Sequence, residues 1–253
     1  VNRTKIEWCD ASLNPQGWGC WGPGGTPDKP QRCWYCYSED FSERSLSKCE
    51  LCNQFIPHWH PERLELPYRW KKPRKIFWGS MSDLFHPCTP DWQIKSALAV
   101  AEATPRHTHI FCTKNPARYQ EFNPWPENCW VGATVENQEA ANERLPWLAK
   151  VDAKVRFVSF EPLLGPFDST EVPWPEEVWG RRKVEWVIVG ALTGPGSKAH
   201  QPKPEWVRSL IDQCRPPTFY YLGLSVGDEV CLGIPLFLKD NLKWPEKIQE
   251  WPR

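Results

Sequence analysis

The chain carries no surplus of either charge. Its 253 residues contain 31 Lys and Arg against 31 Asp and Glu, and the isoelectric point is near 7.1. This balance argues against non-specific nucleic-acid binding over the whole surface and leaves only local patches for such a role. No apolar run approaches the roughly 18 residues of a membrane span, so no membrane partner is expected. The stretch VNRTKIEWCD lacks the apolar segment of a secretory signal. Internal repeats and low-complexity tails are missing. GPGG (22–25) and GPG (194–196) lack the lysine and spacing of a P-loop, and no Ser/His/Asp arrangement is legible.

What is present points elsewhere. Eleven cysteines, an odd number, suit a reducing cytoplasm, where clustered thiols are more often metal ligands than disulfides. The 27 prolines and 17 tryptophans predict long, stiff, ordered loops packed with amphipathic rings. The length lies at the upper end of one domain. Residues 1–253 therefore form one domain, with a cysteine loop at 9–36 and inserted loops at 49–74 and 162–183.

Short runs rich in β-branched residues read as buried strands: KIFWGS (75–80), THIFCT (108–113), CWVGAT (129–134), KVRFVSF (154–160), EWVIVG (185–190) and PLFLKD (235–240). TKIEWCD (4–10) is a weaker first strand. Between them, DWQIKSALAVAEA sets Ile94, Ala97, Leu98 and Ala101 on one helical face. NQEAANERLPWLA (137–149) is a second helix that Pro146 should end or kink. PEWVRSLIDQC starts with Pro204 in a first turn and aligns Val207, Leu210, Ile211 and Cys214. Strands alternating with helices predict an α/β fold with a parallel sheet and right-handed crossovers, a full or partial β/α barrel. Residues 56–75 are mostly too proline-rich and charged for a core element, and 162–183 form an irregular excursion.

Each strand ends in polar residues: Asp83, Lys114, Glu136 and Asn137, Glu161, Thr193 with its glycines, and Lys239 with Asp240. In β/α barrels the loops after the strands build the active site, so these groups converge on one mouth. Strand ends meet water and are often polar, so one such residue says little, but six in register define a site. Lys114, Glu161 and Lys239 are the candidate catalytic groups.

Two metal sites can be drawn through the cysteines. Cys33-x2-Cys36 and Cys49-x2-Cys52, twelve residues apart, approach a four-cysteine zinc ribbon, which suits a structural or nucleic-acid-binding protein. Alternatively, Cys20, Cys33 and Cys36 hold three irons of a [4Fe-4S] cluster and leave the fourth iron open. Tyr35 then shields one side of the cluster. Cys49, Cys52, His58 and His60 also form a Cys-x2-Cys-x5-His-x-His set suited to zinc. The plainer account makes His60 a loop cap and the two thiols helix-end residues. Cys9, Cys88, Cys112, Cys129, Cys214 and Cys231 read as small buried hydrophobes. RWKKPRK (69–75) has the basic and aromatic make-up of a phosphate-backbone contact, or simply of a solvated loop.

Cys-x-aromatic-Cys after strand one of a partial barrel resembles the radical S-adenosylmethionine superfamily. Here twelve residues separate the first two cysteines, where the superfamily's commonest form has three. The phrases TKIEWCDASLNP, CWYCY, HPERLELPYRWKKPRKIFWGSMSDLF, TKNPARYQEF, ENCWVGATVENQEAANERL, RFVSFEPLLGP, WVIVGALTGPG and FLKDNL resemble a phage and prokaryotic three-Cys-motif family, radical-SAM-like and without a settled substrate. The likeness runs from Thr4 to Leu242. Residues 215–231 look longer than that family's usual link. The resemblance implies a partial (β/α)6 TIM-like barrel, a cluster on Cys20, Cys33 and Cys36, and S-adenosylmethionine as second cofactor. Reductive cleavage of that cofactor would yield a 5′-deoxyadenosyl radical. It further implies that Ser80, Ser82 and Asp83 contact the methionyl amine, that Glu136, Asn137 and Glu161 serve ribose or carboxylate, and that Gly190 to Gly196, with Thr193, approach the adenine. A flavodoxin- or ferredoxin-type electron donor and a partner protein encoded nearby belong to the same expectation. A nucleotide or nucleic acid stays open as substrate.

Overall fold

A computed structural model of the chain describes residues 4–45, 47–172, 184–194, 196–215 and 233–252. Seven strands build one sheet: β1 (Ala11–Leu13), β2 (Lys75–Trp78), β3 (Thr108–Thr113), β4 (Cys129–Thr134), β5 (Val155–Phe160), β6 (Trp186–Val189) and β7 (Leu236–Leu238). Their order in space is their order in sequence, and each neighbouring pair is parallel. The sheet curls into a half-barrel flanked by helices. Three short helices, α1 (Tyr37–Arg44), α2 (Glu50–Asn53) and α3 (Leu66–Arg69), lie between β1 and β2. The later crossovers use α4 (Asp91–Ala103), α5 (Gln138–Leu148) and α6 (Pro204–Cys214), but a 3-10 helix, Pro116–Phe122, joins β3 to β4. Among the described residues no helix is long and apolar enough to cross a membrane.

Parallel strands are covered on both faces, and the period of two assigns each side chain to one of them. One face carries Ile76, Trp78, Phe111, Val131, Val158, Val187 and Leu236 against Ile94 of α4, Leu145 of α5 and Leu210 of α6. The alternate positions Phe77, Ile110, Phe157, Trp186, Ile188 and Phe237 fill the concave side. Gly132 lies on that side too, where a Cβ would come within 2.5 Å of the Phe157 ring. It is glycine because the ring occupies the space.

The expected strands agree with the structure to within one or two residues, apart from the first. Thr4–Asp10 is irregular, and the strand is the next three residues. Packing decides the matter: the Trp8 ring turns into the concave side, 4.6 Å from Phe77 and 6.2 Å from Trp186. Asp10 pins the entry to β1 through bonds to and from Lys75 of 2.8 and 2.7 Å. Strand β2 stops before Gly79, whose φ of +77° leaves extended geometry. Pro146 does not end α5, which continues to Leu148 with the proline inside it. Loop 49–74 contains α2, α3 and a 3-10 turn, with Pro61 and Pro67 in first turns, where their missing N–H is harmless. Within the basic stretch Arg69 pairs with Glu65, and Arg74 lies 4.9 Å over the Trp70 ring. The remainder of the 162–183 loop beyond residue 172, most of 215–231, and Cys231 lie outside the described residues. Cys9, Cys129 and Cys214 are buried, as their reading as buried hydrophobes requires, and burial pushes the thiols of Cys9 and Cys214 up to about 12, whereas Cys88 and Cys112 are only partly buried.

Candidate functional site

Stepping two residues on from the last concave-facing position of each strand from β3 to β7 reaches four charged groups and one glycine, each one or two residues past the strand end. Lys114 follows Cys112, Glu136 follows Thr134, Glu161 follows Ser159, Gly190 follows Ile188 and Lys239 follows Phe237. The register of the parallel strands keeps these positions at one end of the sheet. That end is the mouth the sequence predicts.

Two carboxylates with three cations paired to them stand there. Glu136 is buried and receives Lys114 Nζ at 3.0 Å on one oxygen and Arg144 Nη1 at 2.7 Å on the other, with the Tyr35 hydroxyl donating as well. Burial pushes its carboxyl up, but Lys114 and Arg144 outweigh this and hold it below the usual value. The same pairing raises Lys114 although burial opposes its charge. The Tyr35 phenol is pushed far up by burial and then by the Glu136 carboxylate, so it remains a donor. The second carboxylate, Glu161, pairs with Lys239, and its other oxygen accepts from Trp8 Nε1 at 3.3 Å. Gly190 leaves room for it: a Cβ there would stand 3.0 Å from Lys239 Cδ and 3.1 Å from Glu161 Cγ.

Cys20, Cys33 and Cys36 gather above this end. Burial pushes the Cys20 thiol up to about 12, and Asp83, Cys36 and Cys33 add to the rise, so all three lie in its neighbourhood, although the three sulfurs do not close into one ligand group as Cys49, Cys52, His58 and His60 do. The Gly22 N–H donates to Cys20 Sγ at 3.3 Å. Cys36 caps α1, where the N–H groups of Glu39 and Ser38 oppose the upward push of burial on its thiol. Lys114 responds to Cys33 as well as to Glu136. The Tyr35 hydroxyl on Glu136 therefore fastens the Cys33–Cys36 turn to the end of β4.

The remaining predicted contacts divide into occupied and free. Asp83 accepts from Thr113 Oγ1 at 2.6 Å and from the backbone of Phe85 and Lys114 and the side chain of Asn115, each at 3.1 Å, so it ties the β2 and β3 loops together. Ser80 Oγ is paired with Asn14 at 3.0 Å, and its carbonyl accepts from Tyr37 and Ser38. Asn137 caps α5 through Ala140 N at 3.0 Å. Ser82 Oγ is different: it is buried and has no hydrogen-bond partner among the described residues. Thr193 is exposed and lines a cleft of about 550 Å³ with Leu192, Lys198 and Asn241, beside the mouth.

Cys49, Cys52, His58 and His60 form a separate group whose ligand atoms all lie within 4.8 Å of one another. Cys49 Sγ and Cys52 Sγ are 3.2 and 3.5 Å from His58 Nε2, and Cys52 Sγ is 3.7 Å from His60 Nε2. His60 is thus turned inward and is no mere loop cap. The Cys49/Cys52 doublet closes on the two histidines and not on Cys33 and Cys36, so the four-cysteine ribbon is not the arrangement of this fold.

Sequence reasoning missed Arg144 and Trp8 at the mouth. Arg144 left a signal, as a charged residue on the buried face of α5 between Ala141 and Leu145. Trp8 left none, because its stretch resembles a strand.

Residues 3–227 match a family described as a protein of unknown function (DUF5131), and the chain belongs to that family. No curated protein and no solved structure matches it.

Proposed function

We propose that this member of the DUF5131 family is a radical S-adenosylmethionine enzyme of the reducing cytoplasm. In this reading Cys20, Cys33 and Cys36 hold a [4Fe-4S] cluster. The observation that carries the reading is the Cys33–Cys36 turn, fastened through Tyr35 to Glu136 at the end of β4, with Cys20 close enough to feel both thiols. Three thiolates suit a cluster with one iron left for a ligand. Bound there by Cys20, Cys33 and Cys36, such a cluster would supply one-electron reduction of the cofactor's sulfonium, the chemistry that yields methionine and a 5′-deoxyadenosyl radical for hydrogen abstraction.

The chain's own residues orient and exclude. Ser82 offers the free buried hydroxyl for the methionyl amine or carboxylate. Asp83, with its oxygens occupied, holds the loop that presents Ser82. Glu136 anchors the cysteine turn through Tyr35. Glu161 and Lys239 stay paired until a substrate or ribose hydroxyl enters between them, and Thr193 lines the space beside them. Electrons come from a flavodoxin- or ferredoxin-type donor.

The test uses protein purified without oxygen. About four irons per chain, a paramagnetic signal after reduction that changes when S-adenosylmethionine is added, and 5′-deoxyadenosine as product support the reading. No iron and no 5′-deoxyadenosine after cluster reconstitution overturn it.

A further inference from the structure

Each imidazole in the second group is oriented by its outer nitrogen. His58 Nδ1 lies 2.7 Å from the Ile56 carbonyl oxygen, and His60 Nδ1 lies 2.8 Å from Glu62 Oε1. A carbonyl and a carboxylate accept but do not donate, so both Nδ1 atoms carry the proton. In the neutral rings both Nε2 atoms are then lone pairs, and they face each other at 2.8 Å. Cys49 and Cys52 bring two sulfurs to the same point. One added proton relieves a single contact, whereas one cation satisfies all four atoms. Ring nitrogens steered by a carbonyl and a carboxylate are also the usual second shell of metal-bound histidine.

We propose that this group binds one Zn²⁺, separate from the thiols at the mouth, and that the ion braces the segment leading to Cys20. Two thiolates and two imidazoles are a tetrahedral zinc set that cancels the ion's charge. Bonds of about 2.3 Å to sulfur and 2.0–2.1 Å to nitrogen separate tetrahedral ligand atoms by roughly 3.3–3.8 Å. The sulfur–nitrogen separations of 3.2, 3.5 and 3.7 Å lie in or near that range. The two nitrogens need part by only about half an ångström.

The bracing follows from what the ligands touch. The His60 N–H donates to the Pro15 carbonyl at 2.6 Å and the His58 N–H to the Gln16 carbonyl at 3.3 Å. A Cβ on Gly17 would lie 2.2 Å from the His58 ring, and one on Gly19 would lie 2.4 Å from Pro57 N. Residues 15–19 are therefore clasped by the ligand-bearing segment immediately before Cys20. This inference stands whether or not the mouth carries iron.

The experiment titrates chelator-stripped full-length protein with Co²⁺ and then Zn²⁺, in the wild type and in a Cys20→Ala/Cys33→Ala/Cys36→Ala variant. The expected result in both is one Co²⁺ per chain with the absorption of a tetrahedral thiolate site, displaced by Zn²⁺, and with slower amide exchange over residues 16–20 when zinc is bound. Glu62→Ala, which alters an exposed side chain, should weaken binding about 10–100-fold, as loss of an outer-shell partner does. Cys52→Ala should abolish it. If that variant does not fold, the triple variant and Glu62→Ala still decide. A triple variant without the tetrahedral spectrum, or Glu62→Ala with unchanged affinity, overturns the site. Exchange over 16–20 that ignores zinc overturns the brace.

Discussion

The two cysteine groups of this molecule lie on one stretch of chain and differ in how many of their atoms already have a partner. Cys49, Cys52, His58 and His60 point four ligand atoms at one another, with both outer nitrogens engaged. Cys20, Cys33 and Cys36 bring three thiols to the open end of a half-barrel without closing into one ligand group, and Ser82, next in sequence to the Asp83 that Cys20 feels, has a buried hydroxyl without a partner among the described residues. Closed tetrahedral sets are the mark of structural metal sites, and sets with a vacant position are the mark of reactive ones. The comparison teaches that cysteine count and spacing could not assign these residues. The assignment depends on what each side chain faces.

The change that should separate the groups most is Glu136→Ala. It leaves Lys114 and Arg144 near the buried site without their acid, and breaking a buried pair this way costs about 3–5 kcal/mol. It also releases Tyr35 and with it the Cys33–Cys36 turn. Denaturant unfolding should show the loss. Metal analysis should show iron loading falling while zinc on the other group persists, and equal loss of both would merge the groups. The pH dependence has a definite sign. The folded-state carboxyl of Glu136 lies below its ordinary value, so its contribution is complete above the ordinary carboxylate range. It is lost as pH falls through the folded-state value. Wild-type stability should therefore drop over that acid range, and the drop should be smaller in Glu136→Ala.

Gly17→Ala should break the separation from the other side. The backbone at Gly17 has φ of +67°, a conformation that costs a residue with a Cβ about 1–3 kcal/mol. The new methyl would also collide with His58. Because residue 17 joins the clasp to the loop of Cys20, zinc affinity and iron loading should fall together. A variant that loses zinc alone would mean that the clasp does not position Cys20.

The mouth was legible in the sequence because its grammar is local. Alternation along the strands carries Lys114, Glu136, Glu161 and Lys239 to one face, and no tertiary knowledge is needed to see it. The roles of the carboxylates were not legible. Asp83 is occupied by Thr113, Lys114 N and Asn115, about thirty positions away, and nothing within its own loop announces that. The Cys-x2-Cys-x5-His-x-His spacing was likewise visible, but the inward turn of its rings depends on the Ile56 carbonyl and Glu62. The first strand was misplaced because three residues are too few for a pattern, and the Trp8 ring imposes a packing requirement that no local rule contains.

A narrower probe is Tyr35→Phe, which removes one donor from Glu136 and leaves Lys114 and Arg144 in place. A hydrogen bond to a charged group contributes about 1.5–3 kcal/mol, and the two remaining cations put this loss at the low end. Iron loading should weaken slightly, zinc should not change, and unchanged iron binding would remove the phenol's place as the fastener of the cysteine turn.

Ser82→Ala should have the smallest effect on the fold and is the sharpest test of openness. A buried hydroxyl without a partner is a cost to the folded state, so its removal should be neutral or mildly stabilising, within about 0.5 kcal/mol in the unfavourable direction. Ordinary polar residues behave in the opposite way, as Asn14 would, because Ser80 and Met81 depend on it. If the hydroxyl is there to meet the cofactor's methionyl group, the same change should weaken S-adenosylmethionine binding by about tenfold, or roughly 1.4 kcal/mol. Calorimetric titration of anaerobic, cluster-loaded protein measures this, and denaturant unfolding supplies the control. Stability kept with affinity lost would mark a residue held for a ligand. Stability lost with affinity kept would mean that Ser82 has a structural partner, and the three thiols would then face a mouth with no prepared place for the cofactor.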